Sequence, residues 1–115
     1  LGLQFLRHIE RTRLLLLLVD CQAAAPDPVQ AYRTLLQEMA AYSPALLERP
    51  RAVVATKGDI AVPNRVERLA AVAARDQTPF FVISAQTGEG LEPLMDWVAE
   101  TLDRTAPAAV ALTTS

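Results

Sequence analysis

The chain has a single cysteine, Cys21, among its 115 residues. That excludes an intramolecular disulfide, and its place just after an apolar run suits a packing thiol in a reducing compartment. Histidine is almost absent. The one His8 lies in "RHIER" and reads as a solvated or interhelical residue, and no Cys/His cluster supports a metal site. An excess of basic charge is also missing: 11 Lys and Arg stand against 13 Asp and Glu, a net charge of −2. Nothing in this balance favours nonspecific binding to nucleic acid or to a membrane surface. The longest apolar run, Leu14 to Val19, is far shorter than the roughly 20 residues a membrane span needs, and no charged leader with a cleavage site precedes it. A cytoplasmic location is the expectation.

What is present is globular: 51% hydrophobic and 21% charged residues point to one packed domain. Three runs, "LLLLLVD" (14–20), "RAVVATK" (51–57) and "FFVIS" (80–84), are uniformly apolar, the pattern of parallel strands covered on both faces. Helical periodicity separates them. "DPVQAYRTLLQEMAAYS" has Asp27 as N-cap and Pro28 at the first helical position, and it ends before Pro44. Val66, Leu69 and Val72 or Ala73 mark a second helix over 64–76, whose Arg and Glu residues read as a solvated face. Leu91, Leu94 or Met95, Val98 and Leu102 mark a third, with Met95 and Trp97 read as core. The opening "LGLQFLRHIERT" fits a shorter amphipathic helix with Leu3, Phe5 or Leu6, and Ile9 inward. The tail from Thr105 lacks periodicity and charge, so 105–115 reads as a linker or frayed end. The order predicts an α/β fold, a three-layer parallel sheet with its helices.

Three parallel strands leave a difficulty. An edge strand made of Leu14 to Val19 exposes continuous apolar surface and unpaired backbone, an aggregation hazard. More sheet is expected there, supplied by residues ahead of Leu1, which makes the chain a partial domain containing only the last three strands.

In open parallel sheets, ligands bind beyond the carboxyl ends of the strands. Those ends carry Asp20, the quartet Thr56-Lys57-Gly58-Asp59, and "SAQTGEG" from Ser84 to Gly90. Asp20 reads as a loop cap. The quartet presents a carboxylate and a long aliphatic stem, and the second loop, with small Ser84 and Ala85 and then Gly88 and Gly90, lets backbone N–H groups approach a ligand. Together the two loops can bracket a purine.

The quartet is similar to the [N/T]KxD base-specificity motif of translation-factor-like GTPases, and Ser84-Ala85-Gln86-Thr87-Gly88 resembles their SAxTG element. "LGLQFLRHIERTRLLLLLVD" and "DPVQAYRTLLQEMAAYSPALLERPRAVVATKGD" resemble the Obg family of ribosome-associated GTPases in particular, in the helix and strand after switch II and in the helix, Y-x-P-x-L turn and strand that follow. The likeness runs over about residues 1–104. It implies a P-loop NTPase-like fold, of which this chain is the base-recognition half. It also implies GTP or GDP as ligand and a ribosomal subunit as a partner of the parent protein.

The implied base-contact residues are Thr56, Lys57, Asp59, Ser84, Ala85 and Gln86. Guanine presents N1–H and N2–H₂ side by side, and a fixed carboxylate such as Asp59 accepts from both. Adenine presents an acceptor there, and sites built this way reject such analogues by factors of roughly 10⁴. By resemblance, Lys57 lays its stem on the base while its ammonium reaches back toward the phosphate-loop backbone, the Ala85 N–H donates to guanine O6, and Ser84 steadies the loop and Asp59. Thr56 stands where many relatives have Asn, which implies a weaker tie between loops. Gly88 reads as structural.

No GxxxxGK[ST] occurs, nor the Asp-x-x-Gly that contacts metal and γ-phosphate in such enzymes. The resemblance therefore places Mg²⁺ and hydrolysis in the full-length protein, with no metal ligands and no catalytic residue in this segment. Two other functions compete. A signalling receiver domain needs an acidic pair after its first strand and a Lys after a later strand than the hydroxyl, whereas Thr56 and Lys57 are adjacent. A noncatalytic α/β interaction module descended from a GTPase differs from the enzyme only in what lies upstream of Leu1.

Overall fold

The computed structural model describes residues 13–104 and 109–113. The helix expected over 1–12, with His8, lies outside them. The strands are β1 (Leu14–Asp20), β2 (Arg51–Thr56), β3 (Phe80–Val82) and β4 (Ala109–Thr113). The helices are α1 (Pro28–Tyr42), α2 (Pro63–Arg75) and α3 (Leu91–Arg104), with 3-10 turns at Pro44–Glu48 and Gly58–Ile60.

All strand pairings are parallel, in the order β3-β2-β1-β4. Alternation along β1 divides its leucines between two layers. Leu15, Leu17 and Val19 face α1 and α2 in a core with Tyr32, Leu35, Met39, Leu69 and Val53. Leu14, with half-buried Leu16 and Leu18, faces α3 through Leu94 and Val98. A strand buried on both faces cannot alternate polar and apolar residues, which is why this run is uniformly apolar. Helix α1 starts as expected: Asp27 accepts a hydrogen bond from the Gln30 N–H at 3.0 Å, and Pro28 occupies the first turn.

Two readings need correction. The tail, read as a linker or frayed end, contains β4, and its backbone covers the outer edge of β1 with Leu16 opposite Ala111. The edge expected to be covered by residues ahead of Leu1 thus has a neighbour from the opposite end of the chain, and the described sheet has four strands instead of three. Met95, read as core, is 57% exposed. It stands one position from Leu94, and a helix turns each successive residue by a large angle, so only one of the pair faces the sheet. Trp97 does pack inward, half-buried, with its ring 6.0 Å from that of Phe81.

Candidate functional site

The carboxyl ends of β1, β2 and β3 lie side by side, because Asp20 is in register with Thr56, and Ala55 with Val82. Each strand therefore delivers its polar end to one rim of the sheet. Thr56 is half-buried and its hydroxyl donates to the Val19 carbonyl at 3.4 Å, a long bond between neighbouring strands. The chain then turns sharply. Lys57 holds φ +56°, a left-handed backbone conformation that costs a non-glycine residue roughly 1–2 kcal/mol. The turn directs the Gly58 N–H to the Ile83 carbonyl at 2.8 Å and starts the 3-10 turn that carries Asp59.

Asp59 meets the second loop. The Ser84 hydroxyl donates to Asp59 Oδ1 at 2.9 Å and itself accepts from the Thr87 N–H at 3.2 Å. Ser84 is almost fully buried at 1% exposure, while Asp59 is exposed. A buried hydroxyl thus fixes the bearing of an accessible carboxylate. The Ser84 loop is closed on itself by Ser84 N–H to the Glu89 carbonyl at 3.0 Å and Gly88 N–H to the Ser84 carbonyl at 2.8 Å. Ala85 and Gln86 sit exposed at its apex. Gly88 and Gly90 both have left-handed φ, and a Cβ on Gly90 would lie 1.9 Å from the Val82 carbonyl oxygen. Gly58, Ile83, Ser84 and Gly90 line a cavity of about 340 Å³ beside these loops. A larger one, about 460 Å³, lies at the opposite rim, between Arg51, Gln77 and Trp97.

Lys57 reaches back to β1. Its Nζ stands 2.9 Å from Asp20 Oδ2 in an ion pair, with the Lys side chain 53% exposed and that of Asp20 23%. Asp20 also caps the following turn, accepting from the Gln22 N–H at 2.9 Å and from Gln22 Nε2 at 2.7 Å. Burial acts against its charge, but the Gln22 and Lys57 donors together hold its carboxyl below the ordinary value. Next to it Cys21 is buried with its thiol pushed up to about 11, by burial first and by the Asp20 charge second, which matches a packing role.

Arg65 corrects the reading of α2 as a solvated face. Its Nη1 donates to the carbonyls of Gln22, Ala25 and Pro26 at 3.2, 2.7 and 3.2 Å, tying the loop after β1 to α2. Periodicity placed Arg65 outside the apolar stripe but could not show three carbonyls converging on it. Arg68, by contrast, makes an exposed pair with Asp27 at 2.9 Å.

A chain with a parallel sheet, helices on both faces and its polar loops at one rim is an α/β segment of the P-loop NTPase-like class. Its relatives narrow this further. No protein-family model matches the chain. It is 49% identical over 102 residues to the GTPase Obg of Solibacter usitatus, across 87% of this chain and 30% of that protein. It is 46% identical over 114 residues to the GTPase Obg of Limosilactobacillus reuteri, across 91% and 26% respectively. For the GTPase Obg of Chlorobium chlorochromatii the identity is 45% over 109 residues, across 93% and 30%. Over most of its own length the chain is thus similar to one segment of these GTPase Obg proteins, and it spans less than a third of their length.

Proposed function

We propose that this segment, residues 1–104, is the second half of an Obg-type G domain and recognises the guanine base of GTP or GDP through Thr56, Lys57, Asp59, Ser84, Ala85 and Gln86. The observation that carries the reading is the 2.9 Å bond from the buried Ser84 hydroxyl to the Asp59 carboxylate. It joins the two loops and leaves acceptor capacity on an exposed carboxylate, which has about four lone-pair sites. Guanine N1–H and N2–H₂ match that capacity as a bidentate, charge-assisted pair.

Phosphate binding, Mg²⁺ and hydrolysis belong in this proposal to other parts of the parent protein. Among the described residues no group of three or more His, Cys, Asp or Glu can hold a metal ion. When bound, Mg²⁺ supplies charge stabilisation at the transferring phosphoryl group. The parent's action on a ribosomal subunit, in ribosome assembly or stress response, and its cytoplasmic location rest on the family resemblance. No described helix is long and apolar enough to cross a membrane.

Asp59→Asn in the full-length parent protein tests the base assignment. An amide accepts from N1–H but offers a donor where N2–H₂ needs an acceptor, whereas xanthine carries a carbonyl at that place. Guanosine nucleotide affinity is expected to fall by at least about 100-fold, with xanthosine nucleotides now preferred. Titration with both nucleotides reads the outcome, and an unchanged preference removes Asp59 from the site.

A further inference from the structure

We propose that Asp20 is a positioning residue for nucleotide binding, holding Lys57 through the ion pair that joins the ends of β1 and β2. The inference rests on the base-site reading above, in which Lys57 contacts the ligand. Asp20 is fixed independently of Lys57. Its two oxygens take the Gln22 N–H and Gln22 Nε2 at 2.9 and 2.7 Å. Gln22 is itself bridged to Ala61 at the entrance to α2, and Arg65 holds its carbonyl at 3.2 Å. The carboxylate thus stands on a braced loop, and the lysine ammonium meets it at 2.9 Å.

Lys57 gains from such an anchor. Its side chain is more than half exposed, and a free lysine loses much of its rotamer freedom when it orders against a ligand. Anchoring Nζ at one end while the left-handed backbone sets the other removes part of that loss before the ligand arrives. A loop cap alone needs only the Gln22 N–H bond. The Gln22 amide on the second oxygen extends the cap, but the lysine on that same oxygen is unexplained by capping, and it connects the first strand end to the quartet that carries Asp59.

The test uses the full-length parent protein and a fluorescent GDP analogue. Asp20→Asn keeps an acceptor for the Gln22 N–H and removes the charge. It is expected to weaken binding about two- to fivefold, with the loss shrinking at high salt. In a Lys57→Met background the same change is expected to have no effect, and Asp20→Glu to restore part of the affinity. Gln22→Ala, which frees Asp20 without altering either charge, is expected to act in the same direction, again only when Lys57 is present. It serves as the second variant if Asp20→Asn does not fold, as judged by thermal unfolding.

Equal losses in both backgrounds would reduce Asp20 to a loop cap, and unchanged or tighter binding by Asp20→Asn would mean that the pair withholds Lys57; each overturns the proposal. The coupling is read on affinity and the base assignment on guanine-over-xanthine preference at Asp59. The two therefore fail separately.

Discussion

Lys57 and Gly90 show how the candidate site depends on single backbone conformations. The left-handed turn at Lys57 sends the Gly58 N–H to the end of β3, and only then does Asp59 come within reach of Ser84. At Gly90 the constraint is steric as well as torsional. With φ +78° and the Val82 oxygen 1.9 Å from the place of a Cβ, any side chain forces the 84–90 loop to move. Gly90→Ala is expected to destabilise the chain by at least about 1–2 kcal/mol from the torsion alone, and to loosen the Ser84–Asp59 bond. Urea unfolding together with hydrogen exchange at residues 84–90 checks both; wild-type stability and exchange would show that the loop tolerates the Cβ. Gly88 is different, since a Cβ there meets nothing and only its φ of +81° matters. The sequence reading of Gly88 as structural is compatible with this, but it did not separate the two glycines.

At the scale of elements, α1 and β1 were legible because their signals are local. Asp27 before Pro28 is a start signal within a few residues, and the uniform leucines of β1 need no knowledge of partners. What α1 packs against was not legible. Tyr32 is fully buried, and its hydroxyl donates to Asp76 Oδ2 at 2.6 Å, across to the end of α2. Its phenol is pushed up to about 12, chiefly by burial and then by that carboxylate. Tyr32→Phe keeps the packing and removes the bond, so a loss of about 1 kcal/mol is expected in chemical denaturation. A change within error would assign Tyr32 to packing alone. Arg65 was misread for a related reason: its three carbonyl partners lie in a loop some forty positions earlier, beyond any periodicity window.

For the whole molecule, the arrangement turns on how the edges of an all-parallel sheet are closed. β1 is central only because β4 lies on its outer side, with Leu14 opposite Ala109 and Leu18 opposite Thr113. The Leu15 N–H points to β2, so Leu16 faces β4, and Leu112→Pro removes the ladder N–H that the register aims at the Leu16 carbonyl. It is expected to expose the β1 edge, raising amide exchange over residues 14–18 and promoting self-association in size-exclusion chromatography. Unchanged protection of β1 would remove β4 from the sheet.

The sequence by itself determined the alternation of strands and helices, the residues that end each strand, and the likeness that names the base-site candidates. Those are properties of neighbours along the chain: uniform apolarity, caps, and short motifs at fixed spacing. Only the tertiary structure decided that 109–113 pairs with β1, that Arg65 braces the Gln22 loop, and that Asp20 holds Lys57. Each joins groups distant in sequence, and such contacts depend on strand order and register, which the pattern within any one segment does not contain.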